Sequence, residues 1–379
     1  TRVALLTGSL PAAARRAALA EAVAGEAGIV VGTHALLSEG VEFADLGMIV
    51  IDEQHRFGVE QRDALRAKAG ATPPHVLVMT ATPIPRTVAM TVYGDLETVA
   101  LRELPRGRSP IASNVVPAAE KPGWLDRAWT RLREEVAAGH QAYVVCPRIG
   151  EAADPDEDVS DADSRDETDD VDGPVRRPPV AVLDVAPMLA EGPLAGLRLG
   201  VLHGRLPTDT KDAVMRAFAA GELDVLVATT VVEVGVDVPN ATVMVVLDAD
   251  RFGVSQLHQL RGRVGRGSAP GLCLLVTDAA PDTPARERLT AVASTLDGFE
   301  LARIDLEQRR EGQVLGATQS GRSSFKLLSL LRDEDMIGAA KEEATDLVAA
   351  DPQLTRHPEL ATAVAELIDE EQAEFLGKT

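Results

Sequence analysis

Apolar and polar positions along residues 1–100 follow a pattern that predicts strands separated by helices. The predicted strands are "RVALLTG", "IVVGTHALL" with its following turn, "MIVIDEQ" and "HVLVMTATP", and the Ala-rich "PAAARRAALAEAVAG" predicts a helix after the first of them. The run Met48–Ile51 is apolar at every position. Such a run favours a parallel strand buried on both faces over a half-exposed strand with alternating side chains.

A second alternating set begins near Ile111 and predicts the strands "QAYVVCPR", "RLGVLHGRL", "LDVLVATTVVEVG", "TVMVVLDAD" and "GLCLLVTD". Between them "TDTKDAVMRAFAAG" predicts a helix with Thr208 as its N-cap and with Val214, Met215 and Phe218 on one face. Repeated βα units imply parallel sheets covered on both faces.

The predicted fold class is therefore α/β, with two domains of parallel sheet. The Pro/Gly/Arg stretch of residues 103–112 is typical of a linker between them. Strand patterns stop after about residue 281, where "PARERLTAVASTLDGFELARIDLEQRREG" predicts a helical segment or hairpin.

The formal net charge of −21 argues at first against a nucleic-acid partner. Residues 151–173, however, hold twelve acidic residues and one Arg, and so carry −11 of that charge. This segment has no apolar periodicity, which predicts a disordered surface insertion. The global charge is therefore a poor guide to the partner.

Three further features bound the class of protein. No apolar run is long enough to predict a membrane span. Cys146 and Cys273 lie far apart, which indicates neither a disulfide framework nor a zinc site and favours a reducing, cytoplasmic setting. The chain opens directly into a strand without an initiator Met or a signal peptide, so we expect it to be part of a longer protein.

Adjacent carboxylates follow the apolar run, at Asp52 and Glu53. Ligands of open α/β sheets bind at the carboxyl ends of the strands, where one carboxylate can hold Mg²⁺ and a second can polarise an attacking water. Thr80 and Thr82 of "MTATP" end the next strand and would lie beside the same centre. The alternative for the two carboxylates is that they lie at a solvated strand end. The alternative for the threonines is that they are present only because threonine favours strands and turns.

The segment "QLHQLRGRVGRG" is rich in arginine and glycine and contains no acidic residue. Guanidinium groups on a glycine-punctuated helix suit phosphate recognition, on a transferring γ-phosphate or on a nucleic-acid backbone. A solvated helix face is the alternative. The arginines, the glutamine beside them and the glycines are Arg261, Arg263, Arg266, Gln259, Gly262, Gly265 and Gly267.

Five strings in order resemble the later motifs of superfamily 2 helicases: "DEQH", "TATP", "VLHGR", "ATTVVEVGVDVPNA" and "QLHQLRGRVGR". The string "IDEQHRFGVEQR" together with "MTATPIPRT" resembles the RecG family more narrowly, the bacterial helicases that remodel stalled forks and Holliday junctions. The resemblance covers nearly all of the chain except the acidic insertion and the C-terminal tail.

This resemblance implies ATP and Mg²⁺ as cofactors and assigns roles to matching residues. Asp52 would bind Mg²⁺, Glu53 would activate the hydrolytic water, and Gln54 and His55 would couple hydrolysis to domain closure. Thr80 and Thr82 would also face the nucleotide. The residues expected in the second domain are Arg263 and Arg266 on the γ-phosphate, Gln259 supporting them, and Gly235 and Asp237 at the nucleotide edge.

The same resemblance implies contacts to the DNA backbone rather than to bases. The residues implied for DNA binding or coupling are Thr7, Gly8, Thr33, His34, His203, Arg205 and Thr229. A helical hairpin and loop that link nucleotide state to movement along duplex DNA would include Arg288, Arg309 and Gln319. Arg310, Glu311 and Thr318 depart from the usual Gly-Pro and Arg of that loop, and an ordinary packing helix is the alternative.

The implied domains are an incomplete first RecA-like domain (1–104), a complete second one (105–280, with the acidic insertion at 151–175), a helical coupling element (281–350) and a C-terminal helical tail (351–379). The implied partners are branched double-stranded DNA, such as forks and Holliday junctions, and single-stranded DNA-binding protein. We expect a monomer and no membrane partner.

The phosphate-binding P-loop, GxxxxGK[ST], does not occur in the 379 residues. The terminal "GKT" does not qualify, because Gln372 stands where the first glycine is required. In the family this loop lies upstream of "VALLTG", so we expect the isolated chain to lack useful ATPase activity. Two alternatives remain, a transcription-repair coupling translocase and a non-catalytic DNA-binding fragment, whereas a small-molecule α/β enzyme does not explain the clustered arginines.

Overall fold

The structure is a computed structural model that describes residues 1–8, 10–53, 59–69, 72–80, 99–101, 109–150, 179–230, 237–308 and 333–367. The chain divides into two compact units, residues 1–81 with 339–379 and residues 82–338. The acidic insertion lies outside the described residues, as does the boundary predicted at residue 104, and both stay predictions.

The first unit contains two separate pairs of parallel strands. Each pair is covered by one helix, because Ala18 packs on Ala4 and Leu6 of the first pair, and Leu65 packs on the second. The elements are β1 (Arg2–Leu6), α1 (Ala12–Val23), β2 (Ala27–Gly32), a 3₁₀ turn (His34–Leu37), β3 (Met48–Ile51), α2 (Val59–Arg66) and β4 (His75–Val78).

The prediction that Met48–Ile51 is buried on both faces is wrong. Ile49 and Ile51 are buried, but Met48 and Val50 are 55% and 54% exposed. The helices cover one face of each strand pair, so alternate apolar side chains on the other face stay in contact with solvent. The exposed side chains also include Val3, Leu5, Ile29, Val31 and Leu77.

The second unit is built on a six-stranded parallel sheet of order β5-β10-β9-β6-β8-β7. Its parallel strands and crossover helices confirm the predicted α/β class. The elements are β5 (Ile111–Pro117), α3 (Pro122–Ala137), β6 (Gln141–Val145), α4 (Val182–Glu191), β7 (Leu199–Leu202), α5 (Thr208–Ala219), β8 (Val225–Ala228), β9 (Ala241–Val246), a 3₁₀ turn (Ala249–Arg251), α6 (Val254–Arg261), β10 (Gly271–Thr277), α7 (Pro284–Ser294) and α8 (Gly298–Gln308).

Helices cover both faces of this sheet, as the continuous apolar runs predict. One core joins alternate side chains of β6, β8 and β9 to α5, α6, α7 and α8, and includes Tyr143, Phe218 and Leu257. The other core joins the remaining side chains of these strands to α3 and α4, and includes Trp129 and Leu132. The helical segment predicted after residue 281 is confirmed by α7 and α8.

The helix α5 begins one residue earlier than predicted, so Thr208 is its first helical residue and not its N-cap. Pro207 is the capping residue, and no side chain caps the helix, because the proline ring carries no hydrogen-bond acceptor. The predicted face is confirmed, since Val214 and Met215 pack beside the fully buried Phe218. Two more helices, α9 (Glu334–Ala350) and α10 (Pro358–Leu367), follow near the C-terminus.

A carboxylate ties together the starts of β7 and β8. Asp224 accepts hydrogen bonds from the Arg198 backbone amide at 2.8 Å and from its guanidinium, with Nε at 3.1 Å. The guanidinium contact is the main cause that holds the pKa of Asp224 below its ordinary value. The folded state therefore favours the charged carboxylate.

Asp224→Asn should lower the urea midpoint of unfolding at pH 7, because the variant loses the charge-assisted contacts. A lowered pKa contributes stability above the ordinary carboxyl pKa of about 4, and this contribution is lost as the pH falls through the folded value. The difference in stability between the variant and the wild-type protein should thus shrink as the pH falls below about 4. The exposed Glu191→Gln serves as the control, and a deficit that persists at low pH would contradict the prediction.

Candidate functional site

The predicted acidic centre lies at the carboxyl ends of β3 and β4. Ile51 pairs with Val78, and the Met79 amide donates to the Ile51 carbonyl at 2.8 Å. Asp52 and Thr80 therefore leave the two strands side by side. The structure brings Asp52, Glu53 and Thr80 to one edge of the strand pair, whereas Gln54, His55 and Thr82 lie outside the described residues.

The backbone turns sharply directly after the strand. Glu53 has a positive φ of 53°, a left-handed conformation that costs a non-glycine residue about 1–3 kcal/mol. Its amide donates to Asp52 Oδ1 at 2.9 Å, which fixes the exposed Asp52 carboxylate relative to the turn. An exposed carboxylate oxygen at a strand end is the type of ligand that Mg²⁺ takes, so these residues fit the implied cation.

A second edge is formed by the carboxyl ends of β1 and β2. Leu6 pairs with Gly32, so Thr7 and Gly8 lie beside Thr33 and His34. A Cβ at Gly32 would stand 2.3 Å from the Leu6 carbonyl oxygen, whereas one at Gly8 would meet nothing within 4 Å. Sequence reasoning missed Gly32, although a glycine that ends a strand signals close approach of two backbones.

In the second unit, His203 and Thr229 directly follow β7 and β8. The Thr229 amide donates to the Leu202 carbonyl at 3.2 Å, and both side chains are buried. Burial lowers the pKa of His203, and the charges of Arg205 and Lys211 lower it further. His203 is therefore a neutral imidazole at pH 7. Its buried Nδ1 has no hydrogen-bond partner in the described part of the chain.

The arginine-rich segment is shorter as a helix than predicted. The helix α6 ends at Arg261, so Gln259 lies on it while Arg263 and Arg266 lie in the turn that follows. Glycines let this turn pack closely on its surroundings. Gly265 has φ of 68°, and a Cβ at Gly267 would stand 2.6 Å from the Pro239 carbonyl oxygen.

This close approach places Arg266 beside the segment that leads into β9. Arg266 Nη1 lies 3.2 Å from Asp237 Oδ1, and its Nε donates to the Gly262 carbonyl at 2.9 Å. The structure thus brings together two residues that the sequence predicted in one site. Gly235, the third predicted residue of that edge, lies outside the described residues.

Tyr143 of β6 was missed by sequence reasoning but belongs with these charges. Its burial raises the pKa of its hydroxyl to about 12, with Arg263 and Arg266 opposing the shift and Asp237 adding to it. The three charges therefore act on the same buried hydroxyl. We call Arg263, Arg266, Asp237 and Tyr143 the arginine cluster, in which the direct contact is that of Arg266 with Asp237.

Phosphate recognition by Arg261 is contradicted, because the side chain is only 2% exposed. Its guanidinium donates to the carbonyls of Val292 and Thr295 and contacts His258 Nδ1 at 2.7 Å. Burial lowers the pKa of this guanidinium, which nevertheless stays charged at neutral pH. Arg261 is thus an internal group rather than a ligand-binding one.

The remaining predicted residues lie outside the arginine cluster or outside the described residues. Arg205 is exposed, close to Lys211 and His203. Arg288 of α7 donates to the Asp250 carbonyl at 3.3 Å and so lies against the turn after β9. Arg309 and Gln319 lie outside the described residues.

Two kinds of feature are absent from the described residues. They contain no group of three or more side chains that could together hold a metal ion. Among them, no helix combines the length and the apolar character that crossing a membrane requires.

Three family descriptions match successive parts of the chain. Residues 1–91 match the DEAD/DEAH box helicase family, and residues 181–268 match the helicase conserved C-terminal domain. Residues 295–373 match the C-terminal part of domain 3 of the ATP-dependent DNA helicase RecG. The order of the matches is that of the two units and the helical segment.

Named relatives match over the whole chain. The ATP-dependent DNA helicase RecG of Mycobacterium leprae is 56% identical over 100% of this chain and 50% of its own length. RecG of Bacillus subtilis is 44% identical over 97% of this chain and 49% of its own length. The chain thus spans about half the length of these curated relatives.

A solved structure described as RecG bound to a three-way DNA junction superposes with a TM-score of 0.60 at 35% identity. The match covers 89% of this chain and 40% of that one. The parallel sheets therefore have the RecA-like helicase fold, as predicted. Together with the identity over its whole length, this fold shows that the chain belongs to the RecG family of DNA helicases.

Proposed function

We propose that the protein of which this chain forms part is an ATP-driven translocase on double-stranded DNA that remodels forks and Holliday junctions. The observation that carries the proposal is the arginine cluster, two guanidinium groups and a carboxylate grouped beside glycine-lined backbone, in a chain that is 56% identical to a RecG helicase. The RecG relative whose structure has been solved is described as bound to a three-way DNA junction, which supports branched DNA as the substrate.

In this proposal the carboxyl edge of β3 and β4 serves the nucleotide. Asp52 would hold Mg²⁺, Glu53 would activate the hydrolytic water, and Gln54 and His55 would couple hydrolysis to domain closure. Thr80, which follows the neighbouring strand, and Thr82 would face the same nucleotide. Bound ATP with Mg²⁺ supplies the free energy for movement through the loss of its γ-phosphate.

The arginine cluster serves the phosphate from the second unit. Arg266 is half-buried and held by Asp237, so its guanidinium is already ordered before a ligand arrives. A phosphate exchanges with the Asp237 carboxylate as the partner of this guanidinium, which keeps the charge compensated throughout. Arg263 assists Arg266, Gln259 supports both, and Gly235 borders the nucleotide.

The DNA path runs over the other strand ends. Thr7, Gly8, Thr33 and His34 contact the backbone from the first unit. His203, Arg205 and Thr229 contact it from the second, where the neutral His203 acts by hydrogen bonding and Arg205 by charge. Arg288, Arg309 and Gln319 belong to the helical element that converts nucleotide state into movement.

A transcription-repair coupling translocase is the second candidate for the whole protein. For the isolated chain, the missing P-loop favours a non-catalytic DNA-binding fragment. The monomeric state, the cytoplasmic location and the contact with single-stranded DNA-binding protein also belong to the proposal.

ATP turnover on forked duplex DNA should be undetectable for the 379-residue chain and present in a version extended upstream to the length of its relatives. In the extended protein, Glu53→Gln and Arg266→Ala should each lower kcat by about 10³-fold, because each removes a group that acts on the transferring phosphate. Arg216→Ala, an exposed change on α5, is the matched control. Turnover by the 379-residue chain would contradict the expectation that the chain needs an upstream P-loop. DNA binding without turnover in the extended protein would favour the non-catalytic fragment.

Arg205→Ala should weaken binding of the extended protein to forks of any sequence and reduce the slope of log affinity against log salt by about 1, because one phosphate contact is lost. Fluorescence anisotropy at several salt concentrations measures both effects. Arg216→Ala should leave the slope unchanged. An unchanged slope for Arg205→Ala would remove this residue from the DNA path.

A further inference from the structure

Ser109 lies within the stretch 103–112 that the sequence predicted as a linker, and none of the roles proposed above uses it. Its hydroxyl donates to the Gly267 carbonyl at 3.0 Å, across 158 positions of the chain. Its backbone amide donates to the Gly265 carbonyl at 3.3 Å. One residue therefore holds the backbone on both sides of Arg266.

The turn depends on such contacts because it is rich in glycine, with Gly262, Gly265 and Gly267 among six residues. Glycine loses more backbone freedom on folding than any other residue, so this turn is costly to order. The close approach of Gly267 to the Pro239 carbonyl prevents movement of the turn towards that carbonyl, but it does not oppose movement away from it. The two hydrogen bonds of Ser109 supply attraction, which opposes movement of the turn away from the strand.

Ser109 is itself held firmly, because the chain enters the sheet directly after it. The Gly271 amide donates to the Pro110 carbonyl at 2.9 Å, and Ile111 pairs with Gly271 at the start of β5 and β10. The strand ladder thus fixes the backbone next to Ser109. Its hydroxyl connects that fixed backbone to the turn.

The side chain of Arg266 has a fixed and an exchangeable contact. Its Nε donates to the Gly262 carbonyl at 2.9 Å, and its Nη1 lies 3.2 Å from Asp237 Oδ1. In the proposed function a phosphate replaces Asp237 as the partner of the guanidinium. The direction of the guanidinium then depends on the backbone of the turn, which Ser109 holds.

We propose that Ser109 is a positioning residue that directs the Arg266 guanidinium towards the phosphate by fixing the turn on both sides of it. The inference rests on the proposed function and adds to it a residue outside the five strings that resemble helicase motifs. The predicted linker thereby ends on the turn that carries Arg266.

The test is the ATP turnover on forked DNA of the protein extended to the length of its relatives. Ser109→Ala removes the hydroxyl contact and keeps the amide contact. It should lower kcat by about tenfold, because misplacing a group that acts on the reacting atoms by 1 Å costs up to about 10²-fold. The KM for ATP should stay at the wild-type value, since Arg266 acts on the transferring phosphate. Ser109→Thr keeps a hydroxyl and should recover most of the lost kcat.

Ser113→Ala is the matched control, because Ser113 lies on the adjoining strand β5. Its buried Oγ has no hydrogen-bond partner in the described part of the chain. The control removes the same chemical group without removing a contact and should leave kcat unchanged. An equal loss of kcat in Ser113→Ala would contradict the inference, since any disturbance of β5 would then produce the effect.

A double-mutant cycle distinguishes positioning from a merely structural role. Because Ser109 acts through Arg266, adding Ser109→Ala to Arg266→Ala should lower kcat no further. A merely structural role predicts that the two losses multiply, and that result would overturn the inference. Wild-type kcat in Ser109→Ala alone would also overturn it.

Should Ser109→Ala fail to fold, Ser109→Cys decides, because a thiol is a weaker donor than a hydroxyl. A reduced kcat in this variant supports the inference, and wild-type kcat rejects it. A wild-type protein without turnover counts against the proposed function and against the inference that rests on it. Reduced kcat in Arg266→Ala together with wild-type kcat in Ser109→Ala counts against this inference alone.

Discussion

The close approach of Gly267 to the Pro239 carbonyl is the contact on which the arrangement of charges in the second unit depends. A Cβ at this position would stand 2.6 Å from a backbone oxygen, so any side chain would displace the turn. The contacted carbonyl belongs to the turn that leads into β9, and β9 itself is buried along its whole length. With glycine here, the turn packs on this carbonyl and Arg266 lies beside Asp237.

The sequence predicted most strands of the parallel sheets because their apolar runs reflect burial on two faces. The same reasoning failed for Met48–Ile51, where an apolar run lies on a strand with one covered face. A run of apolar residues records that a strand is hydrophobic but not how many helices pack on it. That number is set by elements distant in sequence, and no local pattern contains it.

The candidate site was predictable in part for a similar reason. Residue type and motif spacing identified Asp237, Arg263 and Arg266, but they did not distinguish Arg261 from its neighbours. Helical periodicity contains the missing signal, since Leu257, Leu260 and Val264 place position 261 on the buried face of α6. Tyr143 had no such signal, because the arginines that act on its hydroxyl lie far from it in sequence.

Arg261 and Arg266 belong to one short segment, but Arg261 is buried whereas Arg266 is partly exposed. The pair of Arg266 and Asp237 is partly exposed, and such pairs contribute only about 0–1 kcal/mol, so another anion can replace the carboxylate at low cost. Arg261 is desolvated and bound by fixed carbonyls, and removing those partners would leave a buried charge without compensation. The first arrangement suits a group that must exchange ligands, and the second suits one that must not move relative to α7.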